Sequence, residues 1–119
     1  MAQFDVHQNK GSLKETIPFV VVVQSSQFDL YRRRVVVPLV RRSALPSDTP
    51  TVGSRMNPVM EVGGIELVLH PLDMVSVAVD QLGDRIGSLS EQGLTISDAL
   101  DELLSRSWGG CRQGGVAAD

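Results

Sequence analysis

Few side chains of this 119-residue chain are spaced for covalent chemistry. His7 and His70 fall at the ends of predicted strands, far apart in sequence. A histidine that activates a nucleophile needs a serine or cysteine within hydrogen-bond reach, and the sequence places none there. Both therefore read as solvated strand-end groups. The one cysteine, Cys111, sits in a polar, glycine-bearing C-terminal stretch with no neighbour to stabilise a thiolate. Asp98, Asp101 and Glu102 share the polar face of a predicted helix, where solvated acids are ordinary. Gly63-Gly64 joins two strands and opens no helix, so it does not cradle a phosphate. Metal-ligand spacing is absent. The expectation is a protein without catalytic residues and without a cofactor.

Chemistry of binding is better represented. Arg32, Arg33 and Arg34 precede one β-branched run, and Arg41 and Arg42 follow it. Clusters separated by a strand about 20 Å long do not make one nucleic-acid groove. They solubilise the strand ends or dock an acidic partner. The sharpest signal is Trp108, the only tryptophan, with polar Ser105, Arg106 and Ser107 before it and Gly109-Gly110 after it. A tryptophan at a helix end packs on its own domain or anchors a partner, and few apolar neighbours in sequence raise the weight of the partner anchor.

The element that must position it is a helix over Ile96 to Gly110. Ile96, Ala99, Leu100, Leu103 and Leu104 have amphipathic spacing. Thr95 with Asp98 has the form of a capping box, Arg106 suits the C-terminal dipole, and the glycines stop the helix. The rest reads as strands: Gln3 to His7, with Phe4 and Val6 on one face; Ile17 to Gln24, apolar on both faces and hence central; and Val35 to Val40, antiparallel to it. Asn57 to Val62 and Ile65 to His70 form a hairpin around Gly63-Gly64, and Met74 to Val79 alternates again. Gln8 to Thr16 and Arg41 to Met56 read as loops, and Gln81 to Gly93, broken by glycines, as a turn or brief helix. Six short strands and one helix predict a small twisted antiparallel sheet or partly closed barrel with the helix on one side.

Length gives one domain, with 1–110 folded and 111–119 a disordered tail. Aromatics at 4% leave the core to Val, Leu and Ile, and a net charge of −3 argues against coating nucleic acid by bulk electrostatics. One cysteine excludes an internal disulfide. No apolar run approaches the roughly 18 residues of a membrane span, and Met-Ala-Gln-Phe-Asp-Val lacks the regions of a signal peptide, so the expectation is a cytoplasmic protein without membrane contact.

The order of several short motifs resembles a known family. Gln3-Phe4, Val23-Gln24-Ser25, Arg33-Arg34 followed by Val35-Val36-Val37-Pro38-Leu39, Asn57-Pro58-Val59, Asp73-Met74-Val75-Ser76-Val77, Ser88-Leu89-Ser90 and the final helix with Trp108-Gly109 occur as in CcdB toxins of type II toxin–antitoxin modules. The resemblance implies a mainly β fold with a C-terminal α-helix, the CcdB/Kid-type SH3-like antiparallel barrel, as a homodimer. It implies binding to the DNA gyrase A subunit, trapping of gyrase on cleaved DNA, neutralisation by a CcdA-type antitoxin, and operator DNA met only through the antitoxin complex, in transcription autoregulation. By the same resemblance the gyrase contact falls on Trp108, Gly109 and Gly110, on Asp101 and Leu104, and on Gln27 and Phe28. The antitoxin contact falls on the first loop and the long loop, at Lys10, Lys14, Arg41, Arg42 and Arg55.

Here Gly110 stands where the family has isoleucine, and nine residues follow it. Aligning on Ala99-Leu100-Asp101 instead puts Ser105-Arg106-Ser107 at the family's terminus. Two other readings stay open. A Kid/MazF-type endoribonuclease toxin shares the fold and would need an arginine and an acid or histidine converging in a groove on the dimer, roles open to Arg33, Arg34 and His70 although no spacing points to them. An inactive member would keep only antitoxin binding.

Overall fold

The computed structural model describes residues 2–106 except 12, 47 and 50. Among these residues seven strands form one antiparallel sheet: β1 (Asp5–Asn9), β2 (Phe19–Val22), β3 (Arg33–Arg41), β4 (Val59–Val62), β5 (Ile65–Leu69), β6 (Val75–Ala78) and β7 (Leu82–Ser88). The order is β4-β5-β3-β2-β1-β7, with β6 also on β3. β3 is nine residues long and serves two neighbours on one edge, β6 at its start and β5 at its end. Because β6 lies outside β3 and β7 outside β1, their three-residue link, Val79–Gln81, can span only about 10 Å. The sheet must curl to bring them together, giving the half-barrel consistent with the SH3-like class.

The run Val20-Val21-Val22-Val23 explains this double curvature. Val21 and Val23 join Val6, Val37, Leu39, Leu67 and Leu69 on the face covered by the helix, where Ile96 and Ala99 are fully buried. Val20 and Val22 face the other way, inside the curl, beside Pro38 and Val36, and Val36 in turn pairs with Val75. Val22 and Val36 are nearly inaccessible there. A strand apolar on both faces is thus buried on both, as its composition predicts. Gly63 and Gly64, at φ 58° and 81°, make the two-residue turn of the β4–β5 hairpin, a backbone that favours glycine.

Four details depart from the sequence reading. First, Gln81 to Gly93 is not a turn or brief helix: most of it is β7, paired along β1 through two irregularities in register. The glycine that breaks its apolar pattern is needed for that pairing, since a Cβ on Gly83 would stand 2.7 Å from the Gln8 carbonyl oxygen. Second, α1 (Gly93–Asp101) begins earlier than Ile96, so Thr95 lies inside it and is no cap. A single 3₁₀ turn, Ser90–Gln92, feeds it directly, and Gly93 abuts the Phe4 ring. The last described turn, Glu102–Arg106, widens to π geometry. Third, β1 starts at Asp5 because Phe4 takes φ 72°, a strained conformation for a bulky residue. Bonds from Phe4 N to Val22 O and from Leu89 N to Phe4 O hold it there.

Fourth, His7 is not a solvated strand end. It is buried in mid-strand, with Nδ1 3.0 Å from the Gly83 carbonyl. Asp5 on the same face is buried too, accepting from Ala2 N at 3.0 Å and pairing with Arg85 Nε at 3.1 Å. Burial raises the pKa of this carboxyl, but the Ala2 amide, the Arg85 guanidinium and nearby His7 outweigh it and hold it below the usual 3.8. Its folded pKa lies below the unfolded one, so the stability it contributes is complete above the ordinary carboxylate range and is lost as pH falls through the lowered value. Asp5→Asn should therefore flatten the acid limb of stability against pH, read by urea unfolding from about pH 5 down to about pH 2.

Candidate functional site

Three surface regions carry the predicted binding residues. The first is the β2–β3 connection. Ser25 opens it, its Oγ accepting from Gln27 N at 3.4 Å, and Ser26–Phe28 forms one 3₁₀ turn. Gln27 is exposed and Phe28 is 46% exposed. Behind them Arg34 is buried, at 5% exposure, which corrects its reading as a solubilising strand-end cation. Its guanidinium donates to the carbonyls of Tyr31 at 2.6 Å, Arg33 at 2.9 Å and Asp29 at 2.9 Å, with the Asp29 carboxylate 3.7 Å away. Three carbonyls of a tight turn cannot bond one another, so a forked donor from the next strand satisfies them. Gln24 adds a second brace: its side-chain amide donates to Phe28 O and Arg33 O and accepts from Val35 N. Sequence reasoning missed Leu30 and Tyr31, which this braced turn leaves 96% and 67% exposed. The signal available was a phenylalanine, a leucine and a tyrosine within four positions of a connection whose other residues are polar.

The second region is the end of the helix. Asp101 is exposed on α1, and Leu104 is 66% exposed on the widened turn that follows. Trp108, Gly109, Gly110 and Cys111 lie outside the described residues. Arg55, from the long connection, reaches Asp98 at 4.0 Å and Glu102 at 3.9 Å, strapping that connection to the helix. Asp98 and Glu102 are therefore not a purely solvated face. The helix end and the β2–β3 turn are held by different neighbours, Arg55 and Arg34 respectively.

The third region gathers cations from the two predicted antitoxin loops. Arg41 N donates to Thr16 O at 2.8 Å and Arg41 Nε to Glu15 O at 3.1 Å, stitching the first loop to the end of β3. Exposed Lys14 directly precedes the stitched Glu15, and Arg42 directly follows Arg41. A depression of about 460 Å³ opens beside them, between Arg41, Arg42, Leu45 and the hairpin residues Ile65 and Glu66. Lys10 turns away, its Nζ 3.4 Å from Asp80 O.

A ribonuclease constellation is not assembled within the protomer. Arg33 bonds Ser76 through Nε at 2.8 Å and Nη2 at 2.7 Å, Arg34 is spent on its own turn, and His70 lies 3.9 Å from Asp73. His70 N bonds Pro38 O, about 17 Å along β3 from Arg33. Among the described residues no group of three or more His, Cys, Asp or Glu is placed to hold a metal, and no helix is long and apolar enough to cross a membrane.

The family comparison covers all three regions as far as the helix end. The model of the CcdB protein family matches residues 3–105, from the strained Phe4 corner through the braced β2–β3 turn to the last turn of the helix, and the chain belongs to the CcdB family of toxins of toxin–antitoxin modules.

Proposed function

We propose that this toxin acts by binding the DNA gyrase A subunit and trapping gyrase on cleaved DNA, and that a CcdA-type antitoxin neutralises it. The observation that carries the reading is the family match across residues 3–105, which includes both the β2–β3 turn and α1. The chemistry agrees with poisoning by binding. The surface offers exposed Gln27 and Phe28 and exposed Asp101 and Leu104, and the sequence adds Trp108, which lies outside the described residues. The unit is a homodimer, as in the family, and it meets operator DNA only through the antitoxin complex.

We assign antitoxin recognition to Lys14, Arg41 and Arg42, and by the family resemblance also to Lys10 and Arg55, which the fold directs elsewhere, to Asp80 O and to the helix. An acidic, disordered antitoxin tail gains order and charge neutralisation together on such a surface. The patch belongs to a chain of net charge −3, so the attraction is local and should weaken with added salt.

The test is direct. The purified protein incubated with gyrase and supercoiled DNA should accumulate cleaved complexes released as linear DNA by detergent and protease. Incubated with RNA it should leave the RNA intact. Robust sequence-specific RNA cutting without cleaved complex would replace this reading with the endoribonuclease one. Neither activity, with antitoxin binding retained, would mark an inactive member.

A further inference from the structure

We propose that Leu30 and Tyr31 join Phe28 in a pre-formed apolar knob that docks into an acid-rimmed apolar pocket of the gyrase A subunit. The inference rests on the gyrase reading above and extends its contact beyond Gln27 and Phe28. Leu30, at 96% exposure, gains nothing from the fold of its own protomer. Tyr31 is 67% exposed, and its ring meets Phe28 edge-on at 6.2 Å between centroids. Three large apolar side chains in four consecutive positions on one exposed turn make a local patch that solvent does not explain.

The backbone beneath them is fixed before any partner arrives. The Arg34 guanidinium holds the carbonyls of Asp29, Arg33 and Tyr31, and Gln24 holds that of Phe28. Tyr31 N bonds Phe28 O at 3.1 Å, and Arg32 O accepts from Val79 N at 2.9 Å, tying the exit of the turn to the link after β6. A loop ordered in the free protein has already lost the backbone entropy that docking would otherwise cost. Tyrosine and arginine are the residue types that supply interface hot spots.

Charge selects the occupant. Arg32 and Arg33 are exposed directly after the knob, while the one acid within it, Asp29, lies beside the guanidinium of Arg34. The knob therefore presents apolar surface with a cationic border, and its complement is an apolar pocket with an acidic one. It is continuous with Gln27 and Phe28, so the same target covers both.

Binding of the full chain to purified gyrase A subunit, followed by surface plasmon resonance, tests this with Leu30→Ser, Tyr31→Ala and the double variant. Each single change should weaken binding about tenfold, and the double change more. The urea midpoint and the solution mass by light scattering should stay those of the wild type. Single variants that bind as tightly as wild type would overturn the inference and leave the gyrase reading standing. A fall in solution mass for Leu30→Ser would show that the turn joins two copies of this chain, which also overturns it. A wild-type chain that does not bind the A subunit would sink the gyrase reading itself, and the inference with it.

Discussion

Arg34→Met should lower the stability of the folded chain by about 3 kcal/mol, with the urea midpoint falling and the slope unchanged. Methionine fills much of the volume of the arginine stem, so the loss isolates the head group. That head satisfies three main-chain carbonyls and lies 3.7 Å from the Asp29 carboxylate. Deleting it takes the donor from Tyr31 O and Asp29 O beside a nearly inaccessible side chain, while Arg33 O keeps the Gln24 amide, and each stranded buried group costs about 1–3 kcal/mol before relaxation. Removing one member of a buried pair is costly for the same reason. Arg33→Met is the control. Arg33 is exposed and bonds Ser76 at the surface, so its loss should cost about 1 kcal/mol or less. A loss for Arg34→Met no larger than the control's would show that the turn holds without its clamp.

The contrast between Arg33 and Arg34 also marks what the sequence can and cannot reveal. Periodicity identifies strands because it records which side chains leave water, and it places β2, β3 and the Gly63-Gly64 hairpin correctly. It cannot separate two adjacent arginines of which one faces solvent and the other enters a turn, because that depends on where the chain leaves its carbonyls unpaired. His7 reads as solvated in the sequence for a related reason: alternation places it opposite Val6, and only the curl makes that second side an interior. The same curl hides β7 from pattern reading. Its partner β1 is distant in sequence, and its glycines read locally as breaks although Gly83 is demanded by the close Gln8 backbone. At the candidate site, Gln27, Phe28, Asp101 and Leu104 came from family resemblance, and the fold leaves all four exposed. Leu30 and Tyr31 came from neither resemblance nor pattern, since exposure of an apolar residue is visible only once the turn is built.

The final helix should divide cleanly into a structural and a functional end. Ile96→Ala should destabilise the chain by about 3 kcal/mol, within the range for truncating a fully buried aliphatic residue. Ile96 is completely inaccessible, in one cluster with Val6, Val21, Val37, Leu39 and Ala99, so its removal opens a cavity between helix and sheet. Its effect on gyrase should follow stability: cleaved-complex formation at low temperature, where the variant remains folded, should match wild type. Trp108→Ala should do the reverse, abolishing gyrase binding while leaving the urea midpoint and the solution mass unchanged. Its sequence neighbours are Ser105, Arg106, Ser107 and two glycines, which supply little apolar surface for it to pack on. Under the proposed gyrase reading its ring would be buried by the partner, where tryptophan is among the strongest anchors. Unfolding of Trp108→Ala would instead make the tryptophan part of the core, and the contact would then rest on the β2–β3 turn and on Asp101 and Leu104.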